Sequence, residues 1–326
     1  MKKQYTEPVV VLSGGHGGEV TARQLRDRVT DLTFCVSTFD RGGHSAQLRS
    51  RGHVALGDIR RVITALASDE AMKGVFGYLM NHRFSAKGSS SLNNWALGSL
   101  IIAGLEERYG CGKGIVKSLG TVCRLLEVKA KVLPISLDCA ELKLNTSGII
   151  LPTQGVLSRR HIDAPDIMSG TLCPLSRIFP ASEAAIRRAK LIVFAPGSLW
   201  DSVLVNLMVV GVQEAIHYAV KMGAKIVMIT NLVMKENEVS IELNTTAHYV
   251  SLLCAHLGLE KIHAVLGNVG TFPPEILKRY AAERSHPVRF EETHEAELNI
   301  RGDFVSWDDN GVVHHNGTMA DTLLGF

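Results

Sequence analysis

The sequence predicts an α/β fold: a Rossmann-like parallel sheet with helices on both faces and a helical insertion. Three observations carry that expectation. Short apolar runs of strand length alternate with helical stretches, as β–loop–α–β units that demand parallel strands and a covered sheet. The same alternation returns after residue 190. Between the two blocks lies a region whose apolar residues recur at i, i+3 and i+4, the spacing of amphipathic helices.

Val9 to Leu12 reads as the first strand and leads into Gly14, Gly15, His16, Gly17 and Gly18. Glu19 to Val29 reads as a helix and Leu32 to Val36 as the second strand. In the later block, Leu191 to Phe194 is a strand and Ala195-Pro196-Gly197-Ser198 its turn. Val209 to Lys221 is helical, Ile226 to Ile229 a strand ending at Thr230 and Asn231, Thr245 to Leu257 helical, and Ile262 to Leu266 a strand. The insertion, roughly residues 58–130, holds helices at Asp58 to Ala67, Leu92 to Arg108 and Gly114 to Glu127. Val132 to Ile178 is mixed, with short β-like pieces, and residues 287–326 carry short strands and a last helix. Ser85 to Ser91 is the segment least able to join a core. No linker divides the chain, so one domain over residues 1–326 is expected.

Composition bounds the function. The chain has 326 residues, 46% hydrophobic and 21% charged, with a net charge of +3. So small a charge argues against a nucleic-acid binder. No apolar run approaches the ~18 residues of a membrane span, and the polar N-terminus is no signal peptide. Cys35, Cys111, Cys123, Cys139, Cys173 and Cys254 form no CxxC pair and read as reduced, mostly packed thiols of a cytoplasmic protein.

The glycine run carries the strongest local chemistry. Glycines after a strand let backbone approach a ligand closely, and the next helix opens with unpaired N–H groups that suit a phosphate. The run is neither a P-loop nor a complete GxGxxG. Asp40, Arg41, Gly42, Gly43, His44, Ser45 and then Arg49 lie beyond the second strand, where open α/β sheets bind ligands. There Asp40 would take a ribose hydroxyl or a metal-bound water, and Arg49 would fork onto a phosphate. Asp58 is either a helix cap or a ligand contact. The turn at Gly197 and Ser198 suggests a crevice gripping opposite ends of one ligand, with Asn231 touching base or sugar. No HExxH, paired-histidine metal spacing or GxSxG is present. His314 and His315 would face opposite ways in a strand. The partner expected from the residues is a small phosphorylated nucleotide-type molecule.

The segments VVVLSGGHGG, STFDRGGHSAQLR, LGDIRRVITALA, WALGSLIIAGL, LPISLD, FAPGSLWDSVLVNLMVVGVQEAI and PPEILKRY span nearly the whole chain. In that order they resemble the family of YvcK-type gluconeogenesis factors and CofD-type 2-phospho-L-lactate transferases, the YvcK branch more closely. The resemblance implies a protein that binds UDP-N-acetylglucosamine and influences cell-wall and carbon metabolism. Alternatively it implies an enzyme moving a phospholactyl group from a guanosine diphosphate carrier to a deazaflavin alcohol, with magnesium placed by Asp40 and Asp58. Related proteins also suggest a homodimer. Departures from the family pattern fall at His16 for a threonine, Arg41 for the second aspartate of a pair, Trp95 and Ser99 in the HSLGN helix, Met234 to Glu238 for TQPGET, and His248-Tyr249-Val250 for DHV. Arg41 replaces a metal-friendly acidic pair by a mixed pair, which favours direct guanidinium contact with phosphate. A third expectation is an NAD(P)-linked oxidoreductase, in which Asp40 holds ribose and Arg41 a 2′-phosphate.

Overall fold

A computed structural model describes residues 4–40, 44–85, 92–110, 112, 114–146, 149–151 and 167–326. In chain order the elements are β1 (Val9–Ser13), α1 (Gly15–Leu25), β2 (Leu32–Val36), α2 (His44–Arg49), α3 (Gly57–Leu66), α4 (Asp69–Lys73), α5 (Val75–Asn81), α6 (Leu97–Tyr109) and α7 (Ile115–Leu125). Then come β3 (Lys131–Pro134), β4 (Glu141–Thr146), β5 (Ile149–Leu151), β6 (Ile167–Cys173), α8 (Pro180–Arg188), β7 (Leu191–Phe194), α9 (Val212–Lys221) and β8 (Lys225–Ile229). The chain closes with β9 (Val233–Lys235), α10 (Thr246–Leu257), β10 (Ile262–Asn268), α11 (Pro274–Ala282), β11 (Ser285–Pro287), β12 (Ala296–Gly302), β13 (Val305–Trp307), β14 (Val313–His315) and α12 (Gly317–Leu323).

Seven strands form one sheet in the order β12-β10-β8-β7-β1-β2-β3, and every neighbouring pair is parallel. Its central strands are buried on both sides, which is why β1, β2 and β7 read as unbroken apolar runs. Val10, Leu12, Ile192 and Phe194 face one layer, built from Ile186 of α8, Val212 and Ile216 of α9, and Leu253 of α10. Val9, Val11, Phe34 and Val193 face the other, built from Leu25 of α1, Ile59 and Ile63 of α3, Val122 of α7 and Met319 of α12. Each such fully buried side chain contributes about 1.5–3 kcal/mol relative to exposure. The α/β class and the two-faced covering match the sequence expectation.

Helices α2 to α7 lie between β2 and β3, which pair directly, so this long segment is one crossover. The antiparallel sheet β5-β4-β6 is appended between β3 and α8. Boundaries differ in instructive ways. Helix α1 starts inside the glycine run, four residues earlier than the sequence suggests, because Gly15 to Gly18 form its first turn against neighbouring backbone. Helix α6 starts later, since Asn94 holds a positive φ and Ala96 bridges back to Arg83. Cys35 and Cys254 are buried and Cys123 half-buried, but Cys139 and Cys173 are exposed beside the small antiparallel sheet rather than packed. No described helix is long and apolar enough to cross a membrane.

Candidate functional site

The chain runs from β1 outward to β2 in one direction and from β7 outward to β8 in the other. The carboxyl ends of β1 and β7 therefore flank the topological switch point, where loops diverge and leave a crevice. Both glycine turns lie at this point. They do not oppose each other as two jaws. A Cβ on Gly17 would lie 2.1 Å from the Pro196 carbonyl oxygen, and one on Gly14 or Gly197 would press Ser202 at 3.0 and 2.9 Å. The two turns are packed into one continuous wall rather than facing each other across a gap.

Helix α1 opens this wall with an unusual N-terminus. Its N-cap, Gly14, supplies no side-chain hydrogen bond, and no acidic residue lies in its first turn. Gly15, at φ +65°, donates its N–H to Asp58 Oδ2 at 2.7 Å. The following N–H groups carry the partial positive charge of the helix end. Asp58, 5% exposed at the start of α3, is braced on its other oxygen by Arg61 at 2.9 Å. Burial raises its carboxyl above the usual range and nearby Asp40 adds to this, while Arg61, the Gly15 N–H and His16 pull the other way.

Asp58 thus fixes the glycine turn to α3, and both its oxygens are engaged. Asp40 and Ser45 lie beside it: a Cβ on Gly57 would come 3.1 Å from Ser45 Oγ and 3.7 Å from Asp40 Oδ2. No group of three His, Cys, Asp or Glu able to hold a metal occurs among the described residues. Asp58 spends one lone pair of each oxygen on the Gly15 N–H and Arg61, so a magnesium ion held by Asp40 and Asp58 would take most of its ligands from water and phosphate. Arg41, Gly42 and Gly43 lie outside the described residues. Arg49 is 8% exposed and donates to the Thr38 carbonyl at 3.2 Å and to that of Ala140. Its expected fork onto a phosphate is corrected: the guanidinium ties the loop after β2 to the start of the appended sheet.

In front of the wall is a cavity of about 290 Å³. His16, Gly17 and Val20 of α1 line one side, with Pro196, Gly197 and Ser198 below. Asn231, Met234, Lys235 and Glu238 beyond β8, Tyr280 and Glu283 around α11, and Val313, His314 and His315 complete it. Asn231 accepts from the Gly197 N–H at 2.8 Å and donates to the Gly197 carbonyl at 2.7 Å. Its amide clamps the turn to the end of β8, so it lines the cavity with both amide atoms already bound to backbone. Ser198 Oγ accepts from the Asp201 N–H and donates to Glu238 Oε2 at 2.8 Å, which also accepts from the Leu199 N–H at 3.1 Å.

Glu238, Tyr280, Glu283 and the histidine pair do not stand out in the sequence as binding residues. The signal for Glu238 is an acid a few residues beyond a strand end, masked by an intervening short strand. His315 Nε2 meets the Thr230 carbonyl at 3.0 Å, and burial drives its imidazole down to about 4 from an ordinary 6.5, with the Thr230 bond opposing and His314 adding to the fall. His314 instead takes its bond at Ser306 Oγ, 2.9 Å away, consistent with side chains leaving a strand on opposite faces.

A model of the family described as 2-phospho-L-lactate transferase CofD matches residues 9–303, nearly all of this site and its sheet. The chain belongs to the CofD family. Within it, the gluconeogenesis factor of Bacillus subtilis is 30% identical over 326 aligned residues, covering 97% of this chain and 96% of that protein. The gluconeogenesis factor of Listeria monocytogenes is 29% identical, covering 99% and 97%. A crystal structure of a UPF0052-family protein from Bacillus halodurans superposes with a TM-score of 0.86 at 28% identity over all of both chains, which places this CofD-family fold among α/β proteins of known structure.

Proposed function

We propose that this CofD-family chain is a regulatory protein that binds a nucleotide sugar or related nucleotide diphosphate without turning it over. One observation carries the reading: the N-terminus of α1, whose first turn holds no acid and of which Asp58 takes only the Gly15 N–H, borders a cavity at the switch point of the sheet. Phosphate is the ligand such a helix end favours, and a cavity of this size has room for the diphosphate with its immediate neighbours. The Bacillus subtilis and Listeria monocytogenes relatives are both named gluconeogenesis factors, which supports a role in carbon metabolism rather than in coenzyme synthesis. His16 and Gly17 are the contacts proposed from this chain, with Ser198, Asn231 and Asp58 holding the turns in shape. Arg41, Gly42 and Gly43 remain candidates by sequence position.

The name of the matching family favours a second reading, a phospholactyl-type transferase. In it the alcohol acceptor would approach from the Asp40 side of α1. The gluconeogenesis-factor names of the two relatives weigh against it. A thermal-shift screen with UDP-N-acetylglucosamine, UDP, GDP and NADPH, each with and without magnesium, separates the readings. A ligand at a hundred times its Kd adds about 2.7 kcal/mol of stability. A magnesium-independent shift with the UDP compounds is expected. A shift only with GDP and magnesium would replace the regulatory reading by the transferase, a shift with NADPH alone by an oxidoreductase, and no shift with any compound would refute nucleotide binding.

A further inference from the structure

The wall of the cavity is chemically two-sided. At the α1 end, Asp58 takes the Gly15 N–H, but the first turn itself holds no carboxylate and the N-cap brings no side-chain acceptor. At the Ala195–Ser198 turn most donors are engaged. The Gly197 N–H is taken by Asn231, the Ser198 hydroxyl and Leu199 N–H by Glu238, and the Asp201 N–H by Ser198. What this end presents to the cavity is Glu238 itself, with Glu283 lining the same region. A phosphate placed against Glu238 would meet a carboxylate, with Lys235 the cation nearby in the lining to offset the repulsion.

Both protein hydrogen bonds to Glu238 converge on Oε2, leaving Oε1 without a partner among the described residues. An ionised carboxylate has about four acceptor sites and no donor, so its natural ligand partner is a group that brings donors. Hydroxyls do; phosphates do not. Ser198 and Leu199 hold the carboxylate in one orientation.

We propose that Glu238 is a specificity-determining residue that accepts hydrogen bonds from a carbohydrate hydroxyl or diol, so that the ligand lies with its phosphates towards α1 and its sugar towards the Ala195–Ser198 turn. This rests on the nucleotide reading above and adds to it the direction in which the ligand lies. The hydroxyls belong either to the ribose of the nucleotide or to an appended sugar.

The test measures Kd by calorimetry for UDP-N-acetylglucosamine, UDP and 2′,3′-dideoxy-UDP with the wild-type chain, Glu238→Gln and Ser198→Ala. Glu238→Gln keeps the shape and removes the charge; its urea midpoint verifies folding. It is expected to weaken the compound carrying the recognised hydroxyls at least tenfold, with Ser198→Ala showing the same selectivity more weakly by releasing the carboxylate. A loss shared by UDP and UDP-N-acetylglucosamine but absent for the dideoxy compound assigns the ribose. A loss confined to UDP-N-acetylglucosamine assigns the appended sugar. Equal effects on all three compounds, or none, overturn the role of Glu238 while leaving the nucleotide reading standing. Failure of all three to bind the wild-type chain overturns both. Should Glu238→Gln fail to fold, Ser198→Ala carries the comparison alone, and its lack of selectivity then overturns the proposal.

Discussion

Acidification is expected to weaken this fold through one buried ring. His315 is 5% exposed, lines the cavity and holds the Thr230 carbonyl at the end of β8. Its imidazole titrates near 4 in the fold against an ordinary value of 6.5. The folded-state value is the lower one, so the native chain resists taking the proton that the unfolded chain accepts. The stabilisation relative to the protonated state is fully present above 6.5 and drains away as the pH falls from 6.5 towards 4. Each pH unit between the two values is worth about 1.36 kcal/mol, so the full loss is on the order of 3 kcal/mol, most of it gone by roughly pH 4.5. The assay is urea denaturation of the wild-type chain and of His315→Gln between about pH 7.5 and 4.5, a range that spans this loss. The variant removes the titrating ring and so removes that share of the slope, whatever its stability at neutral pH. If both proteins lose stability in parallel across the interval, the ring is not held neutral by burial and the reasoning fails.

Asp58 runs in the opposite sense. Its folded-state value is raised, so its ionisation penalises the fold above that value, and the penalty is relieved as pH falls towards the ordinary carboxylate range. Asp58→Asn should therefore steepen the acid loss measured by the same denaturation series; an unchanged profile would contradict the assigned direction. Gly17→Ala places a Cβ 2.1 Å from a backbone oxygen, whereas Gly120→Ala in α7 meets nothing within 4 Å. The first should cost about 1–3 kcal/mol by overpacking and perturb ligand binding, while the second should add up to about 1 kcal/mol. Both are read from urea midpoints, and equal effects would refute the contact of the two turns. Arg49→Met strips the Ala140 carbonyl of its guanidinium donor and leaves the Thr38 carbonyl with the Ala55 N–H alone, and should cost about 1–3 kcal/mol. Nucleotide affinity of the folded fraction, measured by calorimetry, should stay at wild type; its loss would restore Arg49 as a ligand contact.

Central strands are the most legible part of the chain. A fully buried parallel strand has no polar face, so Val9 to Leu12 and Leu191 to Phe194 announce themselves as apolar runs. Glycines directly behind them mark where backbones meet. Edge elements are harder: β3 and β12 mix polar and apolar residues because one side or end is open, and neither stands out as part of the main sheet. At the site, proximity in sequence to a strand end draws attention to Arg49 and Asn231, yet local chemistry does not say which way a side chain turns. Arg49 satisfies carbonyls 11 and 91 residues away, and Asn231 a turn 34 residues away. The converse error hides Tyr280, Glu283 and His315, which reach the cavity only because the chain folds back over β8.

That folding back sets when the protein can first act. The cavity draws its lining from His16 to His315, nearly the full span of the chain. The cavity stays open on one side until β14 pairs with β13. Contacts so distant in sequence are the slow ones to form. The lining is therefore completed late in folding, after the sheet that carries its glycine turns.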